Sequence, residues 1–341
     1  MRSANTYGRR PRGVLAQWPH LTAILLTPVL AACSDVQSIM APQSLEAERT
    51  KQLADILFVG GTVILMVVVG LIAAALFGTP AIRARLARAS TVFIGGIVFP
   101  AVTLTTLLVY GLSIIGNGFP ASAKPIEIDV QGERWWWRVN YTDSTGQKIA
   151  SANEIRVPVD RPVRLRLTTA DVIYSFWVPR LAGKVDMIPG RINFVEFQAV
   201  AVGEFRGQCA EYCGGAHALM GTRIIALKRE KFEAWLRNER QPAKEPSQAI
   251  EKRGRELFLQ RGCGACHTIS GIGAVGTSGP NLTHVANRKA IAAETLPMTT
   301  ENLVRWIADN EHVKPNNLMP SYGALPEPEL QAIARYLFSL E

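Results

Sequence analysis

Two stretches of the chain are apolar from end to end. Ile56–Phe77 and Thr91–Ile115 run for 22 and 25 residues without Asp, Glu, Lys or Arg. Each exceeds the ~20 residues a helix needs to cross the hydrocarbon core. The pattern predicts a transmembrane hairpin with helices over about 54–78 and 91–115, the second kinked at Pro100. From about Ala121 the texture changes to alternation. Ile126-Glu-Ile128-Asp-Val130 and Val163-Arg-Leu165-Arg-Leu167 have the period of half-buried strands, and Asp143-Ser-Thr-Gly146 and Ile188-Pro-Gly190 read as turns. Several short strands of this kind predict a β-sandwich or barrel over 121–237, with loops clustered at one end. Residues 238–248, charged and broken by Pro242 and Pro246, read as a semi-extended linker. Beyond it Ile250, Gly254, Leu257 and Phe258 fall on one helical face, which opens a domain over 249–341. The last helix, Glu327 to Leu340, presents Leu330, Ile333 and Leu337 inward and is expected to cross the first near Gly254.

Charge changes the picture at the N-terminus. Arg9-Arg10-Pro-Arg12 followed by an apolar run from Leu21 to Ala32 makes residues 1–32 a signal peptide. Leu30-Ala31-Ala32-Cys33 resembles a bacterial lipobox, which implies cleavage before Cys33 and lipidation of its thiol. An ordinary signal sequence with an incidental Cys is the alternative. The hairpin then occupies 33–120. The 341-residue chain has a net charge of +9, but seven Arg of the leader and of the 79–90 loop have no acid beside them. The basic balance therefore belongs to targeting and topology and gives no nucleic-acid footprint. Arg83, Arg85 and Arg88 put that loop inside the cell and both ends of the hairpin outside.

The cysteines carry the chemistry. Cys209-Ala-Glu-Tyr-Cys213-Gly-Gly-Ala-His217-Ala-Leu-Met220 gathers two thiols, an imidazole and a thioether on one short loop, with the Glu211 carbonyl between the thiols. Thiolates select copper(I), zinc or iron–sulfur, and the added imidazole and thioether favour copper electron transfer. A small disulfide between Cys209 and Cys213 is the alternative, and it gives no reason for His217 and Met220. Cys263-Gly-Ala-Cys266-His267 is the covalent c-type haem signature. Its two thiols can form thioethers to the porphyrin, and the adjacent His reaches the iron. A thioether in the sixth place raises the reduction potential. Met319 is the first choice and Met298 the second, while His284 and His312 would offer bis-His ligation. Three consecutive tryptophans, Trp135, Trp136 and Trp137, cannot all point inward from one strand. At least one faces solvent or a partner.

The copper loop, together with Gly132-Glu-Arg-Trp135-Trp136-Trp137, resembles cytochrome c oxidase subunit II, here with a fused cytochrome c domain. The resemblance implies a multidomain membrane protein: a two-helix transmembrane hairpin, a cupredoxin-like β-barrel and an all-α class I cytochrome c domain. It implies that Cys209 and Cys213 bridge a pair of copper ions, that His217 ligates one and Met220 weakly binds the other, and that Glu211 adds its carbonyl. It places a magnesium ion at the partner interface on the Glu211 side chain, and electron input at Trp135. Asn317-Leu-Met319-Pro320-Ser-Tyr322-Gly resembles the Met loop of class I cytochromes c, and in Gly279-Pro280-Asn281-Leu282 the Pro carbonyl is expected to hold His267 through its other ring nitrogen. One position departs. The family carries a second His ligand in a segment reading Asp-Val-x-His-Ser-aromatic-x-Val-Pro, whereas this chain reads Asp171-Val-Ile-Tyr174-Ser-Phe-Trp177-Val-Pro179. Three outcomes stay open: a copper pair completed by phenolate or water, a single copper, or an empty site with oxidised thiols.

The resemblance implies a subunit on the outer, periplasmic face of a bacterial cell (inner) membrane. It would take electrons from cytochrome c or another haem donor through haem c and copper, and pass them to subunit I. Oxygen reduction and proton translocation would occur in that haem–copper oxidase partner. The alternatives are a membrane-tethered cytochrome c carrier with a copper-free barrel, and the equivalent subunit of a nitric oxide reductase. Residues 116–248 hold 19 basic and 15 acidic side chains, which does not favour steering a basic donor to the barrel.

Overall fold

The computed structural model describes residues 37–115, 124–142 and 146–341. The leader, the Cys33 lipobox and the Asp143–Thr145 part of the expected turn lie outside the described residues. Helix α1 spans Leu45–Phe77, and a short helix α2, Pro80–Leu86, follows at the Arg-bearing loop. The second long helix runs through α3, Ala89–Phe93, a π segment, Ile94–Val98, and α4, Phe99–Ile115. The wider π turn lies directly before Pro100, where the missing N–H and the ring would otherwise break the ladder. Both long helices meet the length and hydropathy needed to cross a membrane, and the most apolar window of each is wholly unburied in the chain's own fold.

The segment ahead of α1 is fastened to the barrel. Ser44 caps the helix by accepting the Ala47 N–H at 3.0 Å, and its hydroxyl donates to the Leu181 carbonyl. Gln43 N–H reaches Arg180 O at 2.8 Å, Val200 N–H reaches Gln43 O at 3.1 Å, and Arg180 Nε reaches Ala41 O at 2.8 Å. A helix cap that also satisfies a barrel carbonyl ties membrane entrance and barrel wall together.

Among the described residues the barrel has ten strands: β1 Ile126–Glu133, β2 Trp136–Thr142, β3 Lys148–Ala152, β4 Glu154–Pro158, β5 Val163–Thr169, β6 Tyr174–Trp177, β7 Val185–Met187, β8 Asn193–Phe197, β9 Gly203–Cys209 and β10 Gly221–Leu227. They form two five-stranded sheets, ordered β3-β2-β1-β5-β8 and β4-β10-β9-β6-β7. The β1–β5 and β4–β10 pairs are parallel, in an otherwise antiparallel arrangement. Alternation sends Ile128 and Val130 of β1, Trp137 and Val139 of β2, and Leu165 and Leu167 of β5 into the shared core, where each is fully buried. Each large side chain of this kind stabilises the fold by about 1.5–3 kcal/mol. Tyr141 also lies inside, its hydroxyl accepting the Arg156 N–H at 2.8 Å and donating to Arg156 O at 3.1 Å.

Helix α5, Arg229–Glu239, closes the barrel, and the segment after it lies along the haem domain rather than free of it. Ala243 N–H bonds Ser270 O at 2.9 Å, and His284 Nε2 lies 3.0 Å from Gln241 O. The haem domain comprises α6 Ala249–Gln260, α7 Thr300–Ala308, α8 Asn310–Val313 and α9 Glu327–Phe338, with two short two-stranded ladders. Helices α6 and α9 cross at Gly254, where a Cβ would collide with the Ala332 carbonyl. Leu257, Phe258, Leu330, Ile333 and Leu337 pack inside, whereas Ile250 is 41% exposed, contrary to the expected face. The reason is local. In the first turn of α6 the inward place belongs to Glu251, whose carboxylate accepts the Ser247 and Gln248 N–H groups, each at 3.0 Å.

Candidate functional site

Strand β9 delivers Cys209 to the barrel rim on the same inward register as Phe205, and the loop returns through a turn at His217–Leu219 into β10. Cys209 N–H bonds Met220 O at 3.0 Å, which closes the base of the loop, and Ala210 N–H bonds Ser175 O at 2.9 Å, which ties it to β6. Donor atoms of Cys209, Cys213 and His217 lie within 4.8 Å of one another. Cys213 Sγ is 3.5 Å from His217 Nδ1 and 3.9 Å from Met220 Sδ, and Cys209 Sγ is 3.1 Å from the Glu211 carbonyl oxygen. Both thiols and Met220 are buried, so water does not compete for them. The neighbouring Cys213 thiol pushes Cys209 down to about 6 by hydrogen bonding to its thiolate, and the same bond pushes Cys213 up. The Glu211 side chain turns outward and accepts the Tyr212 N–H at 3.1 Å.

The Tyr174 hydroxyl is engaged by Asp171 rather than by a donor of this cluster. Tyr174 opens β6, is fully buried, and donates its hydroxyl to Asp171 Oδ1 at 2.5 Å. Burial and the Asp171 carboxylate push the phenol well above its ordinary value.

The haem motif sits at the end of α6. Cys263 begins a tight turn, Cys263–Ala265, and with Cys266, His267 and Met319 it lines a cavity of roughly 380 Å³. His267 Nδ1 lies 2.8 Å from the Pro280 carbonyl, which it bonds as donor, leaving Nε2 to face the cavity. Burial pushes the imidazole down and keeps it neutral, the form that ligates iron. Met319 N–H bonds Asn317 Oδ1 at 3.0 Å, and Asn310 Nδ2 bonds Pro320 O at 3.0 Å, so the Met loop is held on both sides. Met298 is not among the cavity-lining residues. Both ring nitrogens of His284 are engaged by carbonyls, of Gln241 and Glu341, each at 3.0 Å, and His312 lies on the short helix α8 outside the cavity lining. The crevice thus has the thiols, the oriented imidazole, the thioether and the apolar volume that haem c requires.

The two sites meet at Trp135. Its Nε1–H donates to Cys213 O at 3.0 Å, and the residue also lines the haem cavity. Of the three tryptophans, Trp137 is core, Trp136 is half-buried under the Arg138 guanidinium at 4.7 Å, and Trp135 is only 6% exposed. The partner that covers it is the chain's own haem domain. Lys314, invisible to motif reading, completes the junction. Its ammonium donates to the carbonyls of Trp135 at 2.6 Å, Leu219 at 2.9 Å and Ala292 at 3.0 Å, and burial pushes it down to about 7. Around it Arg223 Nη2 reaches Glu294 at 2.6 Å, Arg156 Nη2 reaches Asn287 O at 2.6 Å, and Glu154 accepts the N–H groups of Lys289 and Ala290. Ala292, Ala293 and Glu294 hold left-handed backbone with φ of 53°, 56° and 67°. Such non-Gly residues persist where their surroundings over-determine them, and here Gly221 N–H bonds Ala293 O at 3.1 Å from the barrel side.

Residues 144–227 match the family model for the periplasmic domain of cytochrome c oxidase subunit II, and residues 251–341 match that for cytochrome c. Cytochrome c oxidase subunit 2 of Branchiostoma floridae is 33% identical over 156 residues, which cover 40% of this chain and 68% of that protein. The chain belongs to the cytochrome c oxidase subunit 2 family. The subunit 2 of Alkalihalophilus pseudofirmus is 36% identical over 216 residues, covering 63% of this chain and 61% of the relative. That of Bacillus sp. (strain PS3) is 33% identical over 228 residues, covering 63% and 62%. The chain thus spans about three-fifths of the length of these bacterial relatives. Its cofactors are copper, in the subunit 2 domain, and haem c, in the cytochrome c domain. The subunit 2 donor set fits copper at every position except Tyr174.

Proposed function

We propose that this subunit 2 is the electron-accepting subunit of a haem–copper oxidase. It holds haem c and copper side by side on the periplasmic face of a bacterial inner membrane, between an outside haem donor such as cytochrome c and subunit I, where oxygen is reduced. Bound there, haem c and copper supply the one-electron chemistry. Cys263 and Cys266 would attach the haem, and His267 and Met319 would hold its iron. Cys209, Cys213, His217 and Met220, with the Glu211 carbonyl, would hold copper. Cys33 would carry the lipid, and the Glu211 carboxylate, which accepts the Tyr212 N–H, would hold a magnesium ion at the subunit I contact.

The observation that carries this reading is Trp135, one indole that lines the haem cavity and hydrogen-bonds Cys213 O. It excludes water between the two sites and joins them through packed atoms rather than a solvent gap. Lys314 and the Arg223–Glu294 pair keep the two halves in register. The test is flash reduction of haem in the full, metal-loaded chain. The electron is expected to leave the haem as the copper spectrum bleaches, and Trp135→Leu is expected to slow this with haem and copper contents unchanged. Haem that stays reduced beside oxidised copper would refute the relay. Haem-loaded chain that never takes up copper would favour the tethered carrier instead.

A further inference from the structure

We propose that the barrel rim of this chain holds a single copper ion rather than a pair, with Tyr174 outside the coordination sphere as a packing and positioning residue. The inference rests on the copper site proposed above and concerns how many ions it takes.

The orientation of Tyr174 is built into the fold. Its ring passes over Gly132, where a Cβ would stand 2.5 Å from Tyr174 Cδ2, and it packs on Trp137 with ring centroids 6.0 Å apart. Only a glycine leaves that space. The hydroxyl ends on Asp171, and Asp171 is itself fixed: Oδ1 also accepts the Val172 N–H at 2.7 Å, and Oδ2 takes Arg134 N and Nε, each at 3.3 Å. A phenol oxygen lies on the Cβ–Cγ axis, so turning the ring does not move it. Moving it onto the thiols means breaking its bond to Asp171 within the packing against Gly132 and Trp137. It also requires phenolate to form after losing its partner carboxylate.

The remaining donors then decide the stoichiometry. Among the described residues the cluster offers two thiols and one imidazole as strong ligands, with the Met220 thioether and the Glu211 carbonyl as weak ones. Two thiolates can bridge two ions, but each ion then needs a strong terminal donor, and only His217 supplies one. Cys209, Cys213 and His217 satisfy one copper, with a weak thioether or carbonyl at the apex, as in mononuclear Cys/His/Met sites.

The test is copper and haem analysis of the full chain, with electron paramagnetic resonance of the oxidised protein. Copper equal to haem, with hyperfine structure from one nucleus, is expected. Tyr174→Phe, which keeps the ring and removes the hydroxyl, is expected to leave both unchanged and to show no loss of a phenolate-to-copper absorption band. Tyr174→His is expected to raise copper towards twice the haem, with the unpaired electron shared between two nuclei. Twice as much copper as haem in the unaltered chain, or a spectrum that Tyr174→Phe abolishes, would overturn the single-ion assignment and leave the relay standing. No copper in a haem-loaded chain would overturn the relay as well.

Discussion

The haem crevice and the copper rim are opposite answers to the same demand, that a protein hold a redox group. The crevice is a void of roughly 380 Å³ that no side chain fills. At the rim the ligands are themselves core: Cys209, Cys213 and Met220 pack in the barrel's hydrophobic cluster. The haem is therefore part of the core of its domain, whereas copper joins a core that is complete without it. The crevice depends on its group for stability, and the rim depends on its group for function alone.

The contrast is sharpest if haem attachment is blocked. Without haem the largely apolar wall of this crevice faces water, which removes the centre of the domain's core. Cys263→Ala/Cys266→Ala should abolish cooperative melting of residues 249–341 and expose them to proteolysis, while the β signal of the barrel survives in circular dichroism. A haem-free domain that still melts sharply would break the comparison. Arg223→Ala should come next. It strands the Glu294 carboxylate, whose side chain is 3% exposed, at a cost of about 3 kcal/mol to domain docking. Adding Glu294→Ala should restore part of that loss in a double-mutant cycle read by chemical denaturation. Lys314→Met leaves the carbonyls of Trp135, Leu219 and Ala292 without their shared donor, at about 2 kcal/mol. It should slow haem-to-copper transfer in flash reduction while both metal contents hold. The smallest effect belongs to copper removal. Chelation should leave the far-ultraviolet spectrum of the barrel and the fluorescence of Trp137 unchanged.

What could be read from the chain alone divides by range. The copper loop and the Cys263-Gly-Ala-Cys266-His267 motif are legible because their ligands lie on a few consecutive residues, whose spacing is the chemistry. Alternation around Ile128 and Leu165 identifies the barrel for the same local reason. The position of Gly254 even forecasts a helix crossing, since a missing side chain inside an apolar face has few other uses. Long-range facts are absent from any window. Lys314 looks like an ordinary loop cation until three carbonyls from three segments converge on it. Alternation says only that one of Trp135, Trp136 and Trp137 faces solvent or a partner, and knows nothing of a second domain resting on Trp135. Periodicity places Ile250 inward, yet the capping role of Glu251 rules the first helical turn. Asp171, three residues before Tyr174, was the nearest to visible, since a carboxylate at that spacing offers a phenol a partner other than metal.

Ser44 has a consequence for assembly. One hydroxyl ends the first membrane helix and grips the wall of the barrel, with Gln43 and Arg180 bracing it on either side. A bracket of this kind has no slack, so the pitch of the metal-bearing head over the bilayer is set within the polypeptide itself.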